Sequence, residues 1–264
     1  MMELWAALPR PWAATAFGLF GLLVGSFLNV LIYRLPRNLS PWSGRSKCPH
    51  CERTVRWYEN VPLVSWLALR GRCAGCKGRI AWRYPLVELL TGGLAAACVL
   101  RFGPTGAAPG YFVFLAALLA IAWIDWEFMI IPDELSLGLT VIGVALAATV
   151  LPLGFWRGLL GAAAGAGIIW GVAWGYKRTR GVEGMGFGDV KLAAMIGAFL
   201  GPLGVALTIF VAAFLGSLWG AVLLARGGTA RTMVAFGTFL AAGAVLCLFF
   251  GDAARLWYAG LLHP

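Results

Sequence analysis

From Trp12 to Phe250 the chain alternates long apolar blocks with short polar, basic or Gly/Pro-bearing breaks. This pattern constrains the fold more than any other feature. A bilayer core about 30 Å thick is crossed by roughly 20 apolar residues in α-helix. With no water inside it, a spanning segment must satisfy its own backbone, as a helix does. Composition agrees: 61% of the 264 residues are hydrophobic and 12% charged, where a soluble domain carries about 25% charged residues. The 36 glycines suit helices that approach closely in lipid.

The expected class is an all-α polytopic membrane protein with about eight transmembrane helices and one small polar domain. The first span covers about 12–33, and a Cys- and Arg-rich segment occupies 34–84. A helix bundle fills 85–250, and 251–264 is a tail. Within the bundle the apolar runs are Pro85–Arg101, Tyr111–Trp126, Leu135–Leu151, Phe155–Tyr176, Val190–Ala225 and Met233–Phe250. The run from Val190 is too long for one crossing, and Gly201-Pro202 is expected to divide it. Glu127 to Glu134 is too polar and Pro-interrupted for the bilayer centre, and Gly181 to Gly188 is a glycine-rich loop.

The net charge of +10 is concentrated rather than spread. Eleven of the 21 Lys and Arg lie between Arg34 and Arg83, opposed only by Glu52 and Glu59. That is the signature of a cytoplasmic loop, not of a nucleic-acid surface. With eight spans and this loop inside, 17 Lys/Arg face the cytoplasm, among them Lys177, Arg178, Arg180, Lys191, Arg226 and Arg231. Only Arg10, Arg101, Arg157 and Arg255 face outward, so both termini are expected in the periplasm of an inner-membrane protein. The basic loop also suits anionic lipid headgroups. The first apolar run continues to Tyr33, longer than a signal-peptide core, so it is expected to remain as a span.

Cys48-Pro-His-Cys51 and Cys73-Ala-Gly-Cys76 form two C-x₂-C pairs with 21 intervening residues. Each pair offers two thiolates from one tight turn, and two such turns complete a tetrahedral Zn²⁺ site. Disulfides would need an oxidising compartment, and a redox C-x-x-C is the other alternative. The paired knuckles and the scarcity of large aliphatic residues in the loop favour a structural zinc that helps to fold it. His50 reads as a bystander, and Cys98 and Cys247 as small buried hydrophobes.

Ionisable groups at a membrane boundary are functional candidates, and the chain has only eleven acids. Asp125 closes the third span and Asp189 opens the sixth on the same expected side. Two close carboxyls in a low dielectric cannot both ionise easily. The ionised one can then activate water while its protonated partner polarises a peptide carbonyl. Taken singly, Asp189 also reads as a helix N-cap, and Asp125 as an ion-pair partner for Lys191 or Arg178. Asp133 and Glu134 read as the cap and first turn of the fourth helix. The only histidines are His50 and His263, neither suited to a membrane-face site, which disfavours a His-based hydrolase. A proton-relaying transporter and a non-catalytic scaffold docked through the cysteine loop are the alternatives from other classes.

The motifs taken together resemble a known family. Gly25-Ser26-Phe27-Leu28-Asn29-Val30 with Arg34-Leu35-Pro36, then Asn60 to Trp66, and Arg83-Tyr84-Pro85-Leu86-Val87-Glu88 are similar to the opening blocks of the type IV prepilin leader peptidases. Asp125 through Asp133 resembles their first aspartate motif, and Gly186-Phe187-Gly188-Asp189-Val190-Lys191 their GxGD motif. Glu59 stands where members often carry Asp. The resemblance implies an aspartic endopeptidase with Asp125 and Asp189 as its catalytic pair, supported by Gly186, Gly188, Lys191 and Asp133. Its substrates would be type IV prepilins or type II secretion pseudopilins, cut at the cytoplasmic face of the membrane. It further implies N-methylation of the new terminus with S-adenosylmethionine, an activity associated with the tetracysteine forms. No dinucleotide-type glycine pattern marks a donor site.

Overall fold

The computed structural model describes residues 5, 8–181, 185–227 and 234–262, with side chains to 252. Arg231, His263 and part of the Gly181–Gly188 loop therefore lie outside the described residues, as does the Arg255 side chain. The fold is helical: α1 Arg10–Arg34, α2 Val64–Ala68, α3 Arg83–Phe102, α4 Ala107–Phe128, α5 Asp133–Thr149, α6 Phe155–Arg180, α7 Phe187–Ala225 and α8 Phe236–Leu262. Among the described residues no strand forms beyond two isolated bridges, Lys47 to Thr54 and Arg72 to Arg79.

Among the described residues five helices are long and apolar enough to cross a membrane: α1, α3, α4, α6 and α7. The eight-span expectation differs because α5 is only 17 residues long and the apolar stretch of α8 is Phe236–Asp252. In addition, α7 is one 39-residue helix with a break inside it. That break falls at the expected Gly201-Pro202. Gly201 has φ 73°, ψ 179°, a conformation closed to L side chains, and Pro202 removes a helix donor. Large apolar side chains point outward, among them Trp12, Val141, Trp156 and Phe210, each 70% exposed or more. This is the reverse of a soluble surface and what lipid contact requires.

The chain divides into two compact units, Met1–Ala120 and Ile121–Pro264. In the first, α1 and α3 pack antiparallel through small residues. A Cβ on Gly21 would sit 2.6 Å from that of Ala95, and one on Gly25 would sit 2.6 Å from Glu88 Cα. Such close approach needs glycine. The Phe17 and Phe20 rings of α1 lie 5.1 and 6.4 Å from Phe112 of α4. Beyond α1, the Arg34 guanidinium gathers the carbonyls of Ser40, Pro41, Ser43 and Gly44 and so organises the start of the polar segment.

In the second unit α6 and α7 also run antiparallel. A Cβ on Gly161 would collide with the Gly197 carbonyl, and one on Gly197 with the Gly161 carbonyl. Phe199 fills the space opposite Gly143 of α5, and Gly243 of α8 lies against the Thr208 carbonyl of α7. These contacts hold α5, α6, α7 and α8 together.

Candidate active site and metal centre

Asp125 lies one turn before the end of α4, where Met129 bonds back to its carbonyl and leaves the helix at φ 54°. Its carboxylate is 5% exposed and turns to the N-terminus of α8. There Oδ2 accepts the Thr238 N–H at 2.8 Å and the Thr238 hydroxyl at 3.3 Å, and the Gly237 N–H also reaches the carboxylate. Thr238 is the third residue of α8, so Asp125 satisfies free N–H groups that every helix start presents. It also sits where the helix dipole favours negative charge. The single Thr238 hydroxyl hydrogen is shared between Asp125 Oδ2 and the Ala122 carbonyl, 3.0 Å away.

Asp189 occupies the corresponding place on α7. The helix begins at Phe187 with Gly186 as its N-cap and no side-chain cap bond. Asp189 is thus in the first turn and not the cap; its own N–H bonds the Gly186 carbonyl at 3.2 Å. Its carboxyl turns inward, 8% exposed, close enough to Asp125 for the charge on one to act on the other.

Ile131 holds the two helix starts in register. A Cβ on Gly188 would lie 3.0 Å from Ile131 Cβ. One on Gly237 would lie 2.9 Å from both Ile131 Cδ1 and Asp125 Oδ2. Gly188 therefore serves close packing beside Asp189, and Gly237 leaves room for the Asp125 carboxylate. Gly186 contributes an extended N-cap, φ −74°, ψ 148°.

Two expectations change. Asp133 does not cap α5: Pro132 is its N-cap, and both Asp133 and Glu134 fall in the first turn. Nor is Lys191 a partner of Asp125. Its ammonium meets both Asp133 oxygens, at 2.6 and 2.7 Å, tying α7 to α5. Reasoning from sequence missed Thr238 and Gly237 entirely, because they fall inside an otherwise apolar run. The available signal was a Gly-Thr pair at the head of that run.

In the first unit, the sulfurs of Cys48, Cys51, Cys73 and Cys76 lie within 4.8 Å of one another. Cys48 and Cys76 are 3.8 Å apart, far beyond a disulfide bond of about 2.05 Å. Four sulfurs about 2.3 Å from a central tetrahedral ion are separated by about 3.8 Å, so the donor set fits a zinc-sized cation. The two knuckles are built alike. Cys48 N–H bonds the Arg53 carbonyl and Glu52 N–H the Cys48 carbonyl; Cys73 with Gly78 and Lys77 with Cys73 repeat the pattern. Glu52 and Lys77, each following the second cysteine, both take positive φ.

The Cys76 and Gly75 N–H groups draw the Cys73 thiol down to about 6. Against the Gly78 N–H, burial and the neighbouring sulfurs push Cys76 up to about 11. Four sulfurs this close cannot all ionise without a cation among them. His50 lies against Gly78, its Cδ2 2.9 Å from where a Cβ would stand, but it is not in the donor group. Beside the knuckles, Glu59 takes the Arg53 guanidinium at 2.6 Å and the Arg56 N–H at 2.9 Å.

Two buried carboxyls at helix N-termini, inside an apolar helical bundle, are equipped to activate water against a peptide carbonyl, the chemistry of an aspartic protease. Comparison with known proteins makes the class specific. Residues 19–102 match the Bacterial Peptidase A24 N-terminal domain, and residues 112–221 match the Type IV leader peptidase family. A prepilin leader peptidase/N-methyltransferase of Burkholderia pseudomallei is 38% identical over 97% of this chain and 91% of its own length. The protein of that name from Aeromonas hydrophila is 35% identical, covering 98% and 97%, and that from Pseudomonas aeruginosa 37%, covering 91% of each. The chain belongs to the type IV leader peptidase family. No solved structure matches it.

Proposed function

We propose that this chain is a bifunctional prepilin peptidase and N-methyltransferase of the bacterial inner membrane. It cleaves the leader of type IV prepilins or type II secretion pseudopilins at the cytoplasmic face and methylates the amino terminus so exposed. The observation that carries the hydrolytic part is the pair of buried carboxyls, Asp125 and Asp189, each at a helix start and within electrostatic reach of the other. Near full-length likeness to proteins named for both activities supports the rest.

In this reading Asp125 and Asp189 share one proton. Asp125, with the Thr238 and Gly237 donors around it, carries the charge and accepts a proton from the attacking water. Asp189 keeps its proton and donates to the scissile carbonyl oxygen, after which the proton on Asp125 passes to the leaving amine. Gly186, Gly188 and the Lys191–Asp133 pair hold the start of α7 in place. Cys48, Cys51, Cys73 and Cys76 hold a structural zinc, which supplies folding energy to a loop with little core of its own. S-adenosylmethionine supplies an electrophilic methyl group. The eight-span topology, with α5, both arms of α7 and the apolar part of α8 crossing, carries 17 Lys/Arg inside against four outside.

The test is to incubate detergent-purified protein with a prepilin and methyl-labelled S-adenosylmethionine, then weigh and sequence the product. The reading expects a shortened pilin carrying label on its first residue. Cleavage without label removes the methyltransferase half, and an uncut prepilin removes the whole.

A further inference from the structure

A second set of buried polar groups lies in the first unit and has no part in the hydrolysis described above. Glu88 of α3 is 8% exposed. It accepts the Leu63 N–H at 2.8 Å, the Ser26 side chain lies beside it, and no cation pairs with it among the described residues. Asn29 of α1 is 3% exposed, and its Nδ2 donates to the Gly25 carbonyl at 3.3 Å and the Tyr84 carbonyl at 3.1 Å. Both partners are acceptors, so the amide cannot be turned round. Its Oδ1 therefore points away from them, buried and without a donor. Gly25 and Asn29 are successive turns of α1, facing Glu88 and Tyr84 on successive turns of α3. The orphan carbonyl and the uncompensated carboxylate thus sit on adjacent rungs of one helix pair. The Leu63 N–H comes from backbone at φ 60°, ψ −49°, which L residues avoid.

A buried carboxylate without a counter-cation and a buried acceptor without a donor are each destabilising unless a ligand completes them. The ligand that completes both carries positive charge and several N–H donors. We propose that Ser26, Asn29 and Glu88 form a binding site for a protonated primary amine, the amino terminus released by leader cleavage, with Glu88 as the base for its methylation. The inference rests on the methyltransferase reading. Asn29 Oδ1 and the Glu88 carboxylate accept the ammonium hydrogens. Glu88 then takes one proton, leaving a neutral amine. The nitrogen lone pair forms the N–C bond to the methyl carbon of a sulfonium donor while the S–C bond breaks, its electron pair staying on sulfur as a thioether. The product is a methylammonium, and the Glu88 proton returns to solvent.

Glu88→Gln and Asn29→Ala test this in the full-length protein. Without any methyl donor, a peptide matching the cleaved pilin terminus is titrated against each variant, beside the same peptide N-acetylated. We expect Glu88→Gln to bind the free-amine peptide at least tenfold more weakly than the parent and the acetylated peptide equally. Leader cleavage should stay within twofold. Methyl transfer should fall at least a hundredfold at pH 7, and the deficit should narrow toward pH 9, as an α-amine with an ordinary pKa of about 8 loses its proton unaided. Asn29→Ala should raise the KM for the amine without changing the pH profile. Parental amine binding in Glu88→Gln overturns the proposal. So does loss of cleavage together with methylation in both variants, which would make the cluster a brace between α1 and α3. A parent that cleaves without ever transferring label defeats the methyltransferase reading alone, and the donor-free titration still decides whether this site binds an amine.

Discussion

Thr238→Val removes one hydroxyl from the dyad and leaves its shape. The Thr238 N–H stays on Asp125 Oδ2 at 2.8 Å, while the hydroxyl bond at 3.3 Å is lost. A hydrogen bond to a charged group is worth about 1.5–3 kcal/mol, and this length places it near the lower figure. The same hydrogen is shared with the Ala122 carbonyl at 3.0 Å, a helical acceptor whose loss adds little. At about 1.4 kcal/mol per factor of ten, leader cleavage should slow roughly tenfold. The fall should appear in kcat, with KM for prepilin nearly unchanged, because the hydroxyl touches Asp125 and not the substrate. The assay is steady-state cleavage in detergent, followed by product mass. Thr238→Ser keeps the donor and should cleave within twofold of the parent. Parental kcat in Thr238→Val, or a Thr238→Ser as slow as it, refutes the reasoning.

Four further outcomes follow from the same geometry. Gly237→Ala sets a methyl group 2.9 Å from Asp125 Oδ2, so cleavage should fall by more than the Thr238→Val variant, with the protein still inserted by protease protection. Asp133→Asn breaks a pair whose carboxylate is 58% exposed; such pairs contribute about 0–1 kcal/mol, so cleavage should stay within about fivefold in a direct rate comparison. A thiol-reactive mercurial should release one zinc per chain with all four knuckle sulfurs modified, and the polar segment should then become protease-sensitive. Arg53 and the Arg56 N–H hold Glu59 below its ordinary value of 4.5. A depressed carboxylate stabilises above its unfolded pKa and loses that contribution as pH falls. Glu59→Gln should therefore lower thermal stability of the polar segment at pH 7, by an amount that shrinks as the pH falls below 4.5.

Much of the architecture is legible because apolar block length reports helices directly. The Gly201-Pro202 break could be read as well, since glycine and proline there leave few backbone choices. The number of crossings was less legible. A 17-residue α5 and a kinked α7 satisfy a hydropathy pattern without fixing how many times the chain crosses. The cysteine quartet was readable from spacing, and the matched hydrogen bonds of its knuckles explain why: the local geometry lies within each C-x₂-C segment. The two aspartates could be selected as a pair, but their surroundings could not. Thr238 approaches Asp125 from a helix more than a hundred residues away in sequence. The Asp133–Lys191 bond likewise joins two helices whose register no local pattern encodes. Long-range donors of this kind carry no periodic signal.

The central claim is that Asp125 and Asp189 act together on one peptide bond. Single-turnover cleavage of a prepilin by Asp125→Asn and Asp189→Asn, each checked for correct insertion, tests it most directly. The dyad requires both variants to cleave at the background rate, and the double variant to be no slower than either single one. Cleavage near the parental rate by either single variant contradicts it.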